Sequence, residues 1–150
     1  MNRLTEITRL LSIGSWGLFA GAMLTEGFVL VAWWRSIPAA QFLQWYTQND
    51  QRLLGFFTPL TIMTALLALV AAALALWTGH PGRWLNLCSA GLALLVVATF
   101  YLYFQKANAG FSTGRLGELQ LAVELKRWAT WHWGRTALSL AALAAAILAR

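Results

Sequence analysis

Charge is what this sequence lacks. Only 11% of its 150 residues are Asp, Glu, Lys or Arg, less than half the ~25% of an ordinary soluble domain. Too little polar surface remains to coat a soluble fold, and 59% of the residues are hydrophobic, with a mean hydropathy of +0.61. Cysteine is nearly missing as well. Cys88 stands alone, which excludes an intrachain disulfide framework and any CxxC zinc or redox motif. Lying inside an apolar run, it is expected to be a buried, inert thiol. A soluble enzyme, a secreted disulfide scaffold and a disordered chain are excluded together.

What the chain has instead is organised. Residues 53–77 and 84–104 carry no charged side chain, residues 10–34 carry only Glu26, and residues 128–149 carry only Arg135, with His132 close by. A spanning helix needs roughly 20 mainly apolar residues. The expectation is therefore all-α: one integral membrane four-helix bundle over residues 1–150, with spans at about 10–34, 53–77, 84–104 and 128–149. No segment shows the alternation of a membrane barrel. Arg3, Arg9 and Ala20-Gly21-Ala22 imitate a cleavable signal peptide, but the apolar run continues to Trp34, too long for one, so a retained first helix is expected.

The connections are read from their breakers. Ser36-Ile37-Pro38 ends the first helix, and residues 35–52, with Phe42, Trp45 and Tyr46 among polar neighbours, are expected as a loop in the headgroup zone. Pro59 falls near the start of helix 2. Thr78-Gly79-His80-Pro81-Gly82 makes a tight turn, and residues 108–114 a flexible link. From Leu116 to Ala149 a helix would run ~51 Å, longer than the ~30 Å hydrocarbon core. Helix 4 should therefore extend beyond the membrane on the face that carries both long loops, here the loop face.

The net charge of +6 and pI near 10.5 come mostly from basic residues at segment ends. The partner they suit is the headgroup layer of membrane lipid, not nucleic acid. Arg35, Arg52, Lys106, Arg115, Lys126 and Arg127 tilt the positive-inside balance towards a cytoplasmic loop face. Self-association into a homo-oligomer is left open.

Three inward residues need a reason to exist, because ionisable groups in a span are costly. Counting helical rise from Arg35 and Arg127 places Glu26 ~13 Å and Arg135 ~12 Å below the loop face. Equal depth and opposite charge predict a pair, whether a structural staple or part of a site. His132 shares a helical face with Trp128, Arg135 and Ser139, ~7.5 Å deep. It is read either as a hydrogen-bonded core residue or as the central polar group of a site. The only other histidine, His80, falls at the opposite face, so one chain offers no pair of histidines to a metal or haem, and no spacing signals a His/Glu set. Tyr101, Gln105 and Asn108 close helix 3 near the same end, and Arg52 opens helix 2 there. An apolar cavity with a few convergent polar groups is the natural binding site. Trp33, Trp34, Trp45 and Trp128 on one side, and Trp77 and Trp84 on the other, are expected as the interfacial aromatic belts. Gly14, Gly17 and Gly21 are expected to let helix 1 pack closely.

Ala20-Gly21 with Glu26-Gly27, Arg52 with Pro59, Asn108, and Trp128-x-x-x-His132-x-x-Arg135 together resemble the anthrone oxygenase-like family of small four-helix membrane proteins. The resemblance spans nearly the whole chain. Relatives often carry a proline before the asparagine after helix 3, where this chain has Lys106-Ala107-Asn108. What the resemblance implies is cofactor-independent oxygenation of a flat, apolar aromatic such as an anthrone, in a bacterial inner membrane. His132 would be the base. Glu26 and Arg135 would tune it or hold an oxyanion, and Trp128 would stack on the ring. Tyr101, Asn108, Arg52 and Gln105 would line the substrate site. Two other classes stand beside this one. A small drug/proton antiporter also has four helices and one embedded glutamate, but usually lacks long loops and an arginine at that glutamate's depth. A non-enzymatic membrane subunit or scaffold would use the Glu26–Arg135 pair only as a staple.

Overall fold

The computed structural model describes residues 3–149, and among these there are four long helices and no strand. They are α1 (Arg3–Trp34), α2 (Ala39–Trp77), α3 (Arg83–Ser112) and α4 (Glu118–Leu148). Consecutive helices run antiparallel. α1 packs on α2 and α4, and α3 packs on the same two, giving the square up-and-down bundle that short connections favour. α1, α2 and α3 are each long and apolar enough to cross a membrane. α4 falls outside that group because His132, Arg135 and its hydroxyl residues dilute its apolar half, which nevertheless packs along α1 and α3 in the same layer.

The connections differ from expectation in a consistent way: helix replaces loop. Residues 39–52 continue α2 instead of forming a loop, because no proline or glycine interrupts them, and Pro59 lies inside the resulting helix and not near its start. The signal was present, since Phe42 and Tyr46 are spaced i, i+4 and are both buried. α3 runs through Asn108 to Ser112. Ala107 leaves every backbone N–H there free to bond, and the link shrinks to residues 113–117, where Gly114 supplies a φ of +63°. α4 starts at Glu118, and its lead-in is helical. α2 alone has 39 residues, ~58 Å of helix. The three helical extensions therefore build a cap beyond the ~30 Å apolar layer.

Two cores result. The cap end is aromatic, with Trp34, Phe42, Tyr46, Phe104, Phe111 and Trp128 buried against one another. The other half is built on Trp16, Phe19 and Met23 against Ala65, Ala68, Ala93 and Ala142. Small residues let those helices approach, and Ser89 Oγ donates across the bundle to the Ala142 carbonyl at 3.0 Å, a contact suited to an apolar layer.

Several side chains face other ways than expected. Gly14, Gly17 and Gly21 are exposed, and a Cβ on any of them would meet nothing within 4 Å. The close packing of α1 uses Ser12, Ser15, Trp16, Phe19 and Ala20 instead. Cys88 is exposed on the outer face of α3 and is no core thiol. Trp77 and Trp84 behave as belt residues, 88% and 68% exposed, whereas Trp34 and Trp128 are core, at 1% and 3%.

Two stretches widen into π-helix, Glu26–Val31 in α1 and Phe100–Phe104 in α3. Such turns rotate the residues that follow and recur at functional sites. In α1 the wide turn buries Glu26 and Gly27 side by side. A Cβ on Gly27 would lie 3.0 Å from the Trp133 ring and 3.1 Å from His132 Nε2. Gly27→Ala should therefore destabilise the bundle by about 1–3 kcal/mol through overpacking, measured by unfolding in detergent. Gly21→Ala, in open space, should cost nothing. Equal effects from the two would contradict the close approach of α1 and α4.

Candidate functional site

Burying an arginine and a glutamate in an apolar bundle demands partners, and here they partner each other. Arg135 Nη2 donates to Glu26 Oε2 at 3.4 Å, with Glu26 4% and Arg135 11% exposed. The guanidinium carbon lies 4.2 Å over the Phe104 ring, a cation–π contact that helps replace lost hydration. His132 completes the cluster. Its Nδ1 is 3.4 Å from Glu26 Oε2 and 3.4 Å from Arg135 Nη2, and Nε2 is 2.9 Å from the Met23 carbonyl. A carbonyl only accepts, so Nε2 carries the proton and Nδ1 of the neutral ring faces the Arg135 donor.

His132 is thus held on every side. It is fully buried, Trp128 stacks on it at 5.1 Å with planes 9° apart, and Thr136 Oγ1 is 3.5 Å from Nε2. Trp128 Nε1 in turn donates to Asn108 Oδ1 at 2.9 Å. These bonds run from α3 through α4 to α1 and fix the orientation of the charged pair.

Open space lies beside Glu26 and Arg135, not beside His132. A cavity of about 150 Å³ is walled by Trp34, Tyr46, Phe57, Phe100, Phe104 and Trp128, with Glu26, Arg135 and Asn108 as its polar groups. Leu54, Thr58 and Ile62 of α2 and Val97 and Tyr101 of α3 carry it outwards. Leu54, Ile62 and Tyr101 are exposed on the bundle's flank, so the mouth opens sideways between α2 and α3. Glu26 also borders a wider groove on its other side, between α1 and α2, lined by Thr25, Asn49, Arg52 and Phe56. Glu26, Leu53 and Phe57 border both spaces.

The residues expected at the site therefore divide. Glu26, Arg135, Trp128, Asn108 and Tyr101 border the cavity. His132 does not line it and supports the pair from behind. Arg52 belongs to the outer groove, where its side chain also reaches Asn49 Oδ1 at 3.4 Å. Gln105 is exposed and borders neither space. Trp34, Tyr46, Phe100 and Phe104 are additions from the structure. Trp34 Nε1 and Arg135 Nε are buried donors with no hydrogen-bond partner among the described residues. No group of three or more His, Cys, Asp or Glu side chains among those residues is arranged to hold a metal.

No family model, curated protein or solved structure matches this chain.

Breaking a buried pair by removing one partner typically costs ~3–5 kcal/mol. Glu26→Gln and Arg135→Gln should each lower stability in detergent by that order. The double variant should recover part of the loss, since neither charge is then left alone. Strictly additive losses would contradict direct coupling between the two side chains.

Proposed function

We propose that this protein binds a flat, apolar, oxygen-bearing aromatic from the membrane and oxygenates it without a cofactor, the activity implied by its resemblance to anthrone oxygenase-like proteins. The observation that carries the proposal is the aromatic-walled cavity with Glu26 and Arg135 at its polar end. Aromatic walls suit a planar ring, and a carboxylate beside a cation is the pairing that proton abstraction from an activated ring needs.

The chemistry balances without an added reductant. An anthrone or phenol loses two hydrogens, gains one oxygen atom at a ring carbon to give the quinone, and the second atom of dioxygen leaves as water with those hydrogens. Glu26 is the proton acceptor, because its carboxylate faces the cavity while His132 Nε2 is committed to the Met23 carbonyl. Arg135 holds the negative charge that develops on the ring oxygen. His132 is a positioning residue that keeps both in place. The outer groove gives Glu26 a second side from which its proton can leave. An antiporter is less well supported, because such transporters usually lack an arginine at the depth of their glutamate, and here Arg135 lies against Glu26.

The test is dioxygen uptake by protein in lipid discs given an anthrone or a substituted phenol. Uptake should be stoichiometric with substrate and unaffected by chelator. It should fall at least ~100-fold in Glu26→Gln, the lower end of general-base contributions. His132→Ala should lose less. Loss of uptake with chelator, or full uptake by Glu26→Gln, would contradict the reading.

A further inference from the structure

Arg52 has no part in the cavity, yet it is the cation of the outer groove between α1 and α2. No carboxylate pairs with it among the described residues, and its guanidinium has one polar neighbour there, Asn49 Oδ1 at 3.4 Å. Asp50, two residues away, lies outside the groove and accepts from the Gln51 N–H at 2.6 Å.

Two contacts set the register of α1 against α2 and with it the depth of Arg52. Thr64 Oγ1 donates to the Ser15 carbonyl at 3.4 Å, and the Trp34 and Trp45 rings lie 5.7 Å apart. Counted along both helices from either contact, Arg52 stands level with Gly27. Asn49 and Trp45 lie above it towards the cap, and Ala22, Phe56 and Phe57 lie below. From Leu53 to Trp77 α2 carries no charged residue, about 37 Å of helix, whereas the apolar layer is ~30 Å thick. Arg52 therefore stands at that layer's margin. It reaches to Asn49, one turn nearer the cap, as an arginine does when it carries its charge out of hydrocarbon.

The groove changes character at Arg52. Its cap side offers a cation, an amide and the Trp45 ring, and its membrane side offers Ala22, Phe56 and Phe57. A phospholipid has the same profile, an anionic phosphate above an acyl chain. Glu26 also borders the groove, but its charge is paired with Arg135 and does not stand alone against a phosphate. The cap carries six basic residues, Arg35, Arg52, Lys106, Arg115, Lys126 and Arg127, against Asp50, Glu118 and Glu124. That surplus favours a headgroup with net negative charge over a zwitterionic one.

We infer that the groove between α1 and α2 holds one anionic phospholipid, its phosphate at Arg52 and an acyl chain along Ala22 and Phe56. This lipid site is separate from the cavity, and it does not depend on the oxygenase reading.

Native mass spectrometry of the full chain in detergent, titrated with phosphatidylglycerol or with phosphatidylcholine of the same acyl chains, tests it. The first phosphatidylglycerol should bind about fivefold tighter than phosphatidylcholine, the effect of one cation at a lipid surface. Arg52→Gln should abolish that preference. Lys106→Gln removes a charge from the same end of the bundle but borders neither space, and it should leave the preference intact. Ala22→Trp, in the apolar part of the groove, should weaken both lipids. Equal losses from Arg52→Gln and Lys106→Gln would reveal a diffuse attraction to the cap and overturn the inference. Unchanged binding in Ala22→Trp would overturn it as well. So would displacement of the lipid by glycerol phosphate, which marks an anion site that needs no chain. Displacement by a substituted phenol would assign the groove to the aromatic ligand instead, and a lipid-free dimer would assign it to a second copy of the chain.

Discussion

A charged pair inside an apolar layer constrains everything around it. Neither Glu26 nor Arg135 can be left alone in hydrocarbon, so α1 and α4 must bring the two to one depth and one side. The π turn at Glu26–Val31 rotates Glu26 inward, and Gly27 beside it lets α4 approach closely enough for His132 and Trp133 to touch α1. His132 bonds the Met23 carbonyl ahead of that turn, so the same side chain ties α1 to α4 and presents a lone pair to Arg135. Trp128 and Asn108 extend the chain of contacts to α3. The polar cluster acts as a clamp, and the cavity is the space left on its open side.

This arrangement separates two tasks that a histidine-centred site would combine. The groups that hold geometry are buried and mutually satisfied: His132, Trp128, Thr136. The groups that border the cavity carry its charge, Glu26 and the Arg135 that pairs with it. The opposite half has an alanine-rich core with small hydroxyls bonded to backbone across and along its helices, and no charged side chain in that core.

The sequence made the helices and the pairing of Glu26 with Arg135 legible, because charge inside a span has so few places to go. Helical rise alone put the two at one depth. The face shared by Trp128, His132 and Arg135 followed from spacing in the same way. Less legible was which member of that face meets open space. Trp128 and His132 stack on each other and fill their own volume, a packing outcome that periodicity does not encode. Trp34 was read as a belt residue because its position marks the end of a span. The helical cap of residues 39–52 and 105–112 covers it and makes it core. Phe42 and Tyr46, spaced one helical turn apart, were the available sign of that cap. The π turns carry no sequence signature, so the inward rotation of Glu26 and the placement of Phe100, Tyr101 and Phe104 around the cavity emerge only from the fold.

The central claim is that the cavity walled by Trp34, with Glu26 and Arg135 at its polar end, is where a flat aromatic binds. Its most direct test is the ¹⁵N resonance of the Trp34 indole among the nine tryptophans, assigned by its disappearance in Trp34→Phe and followed as a substituted phenol is added to protein in lipid discs. The account predicts that the Trp34 resonance moves on saturation, because its ring walls the cavity, while Trp77 and Trp84 on the far side stay in place. A Trp34 resonance that does not move while the phenol binds would contradict it.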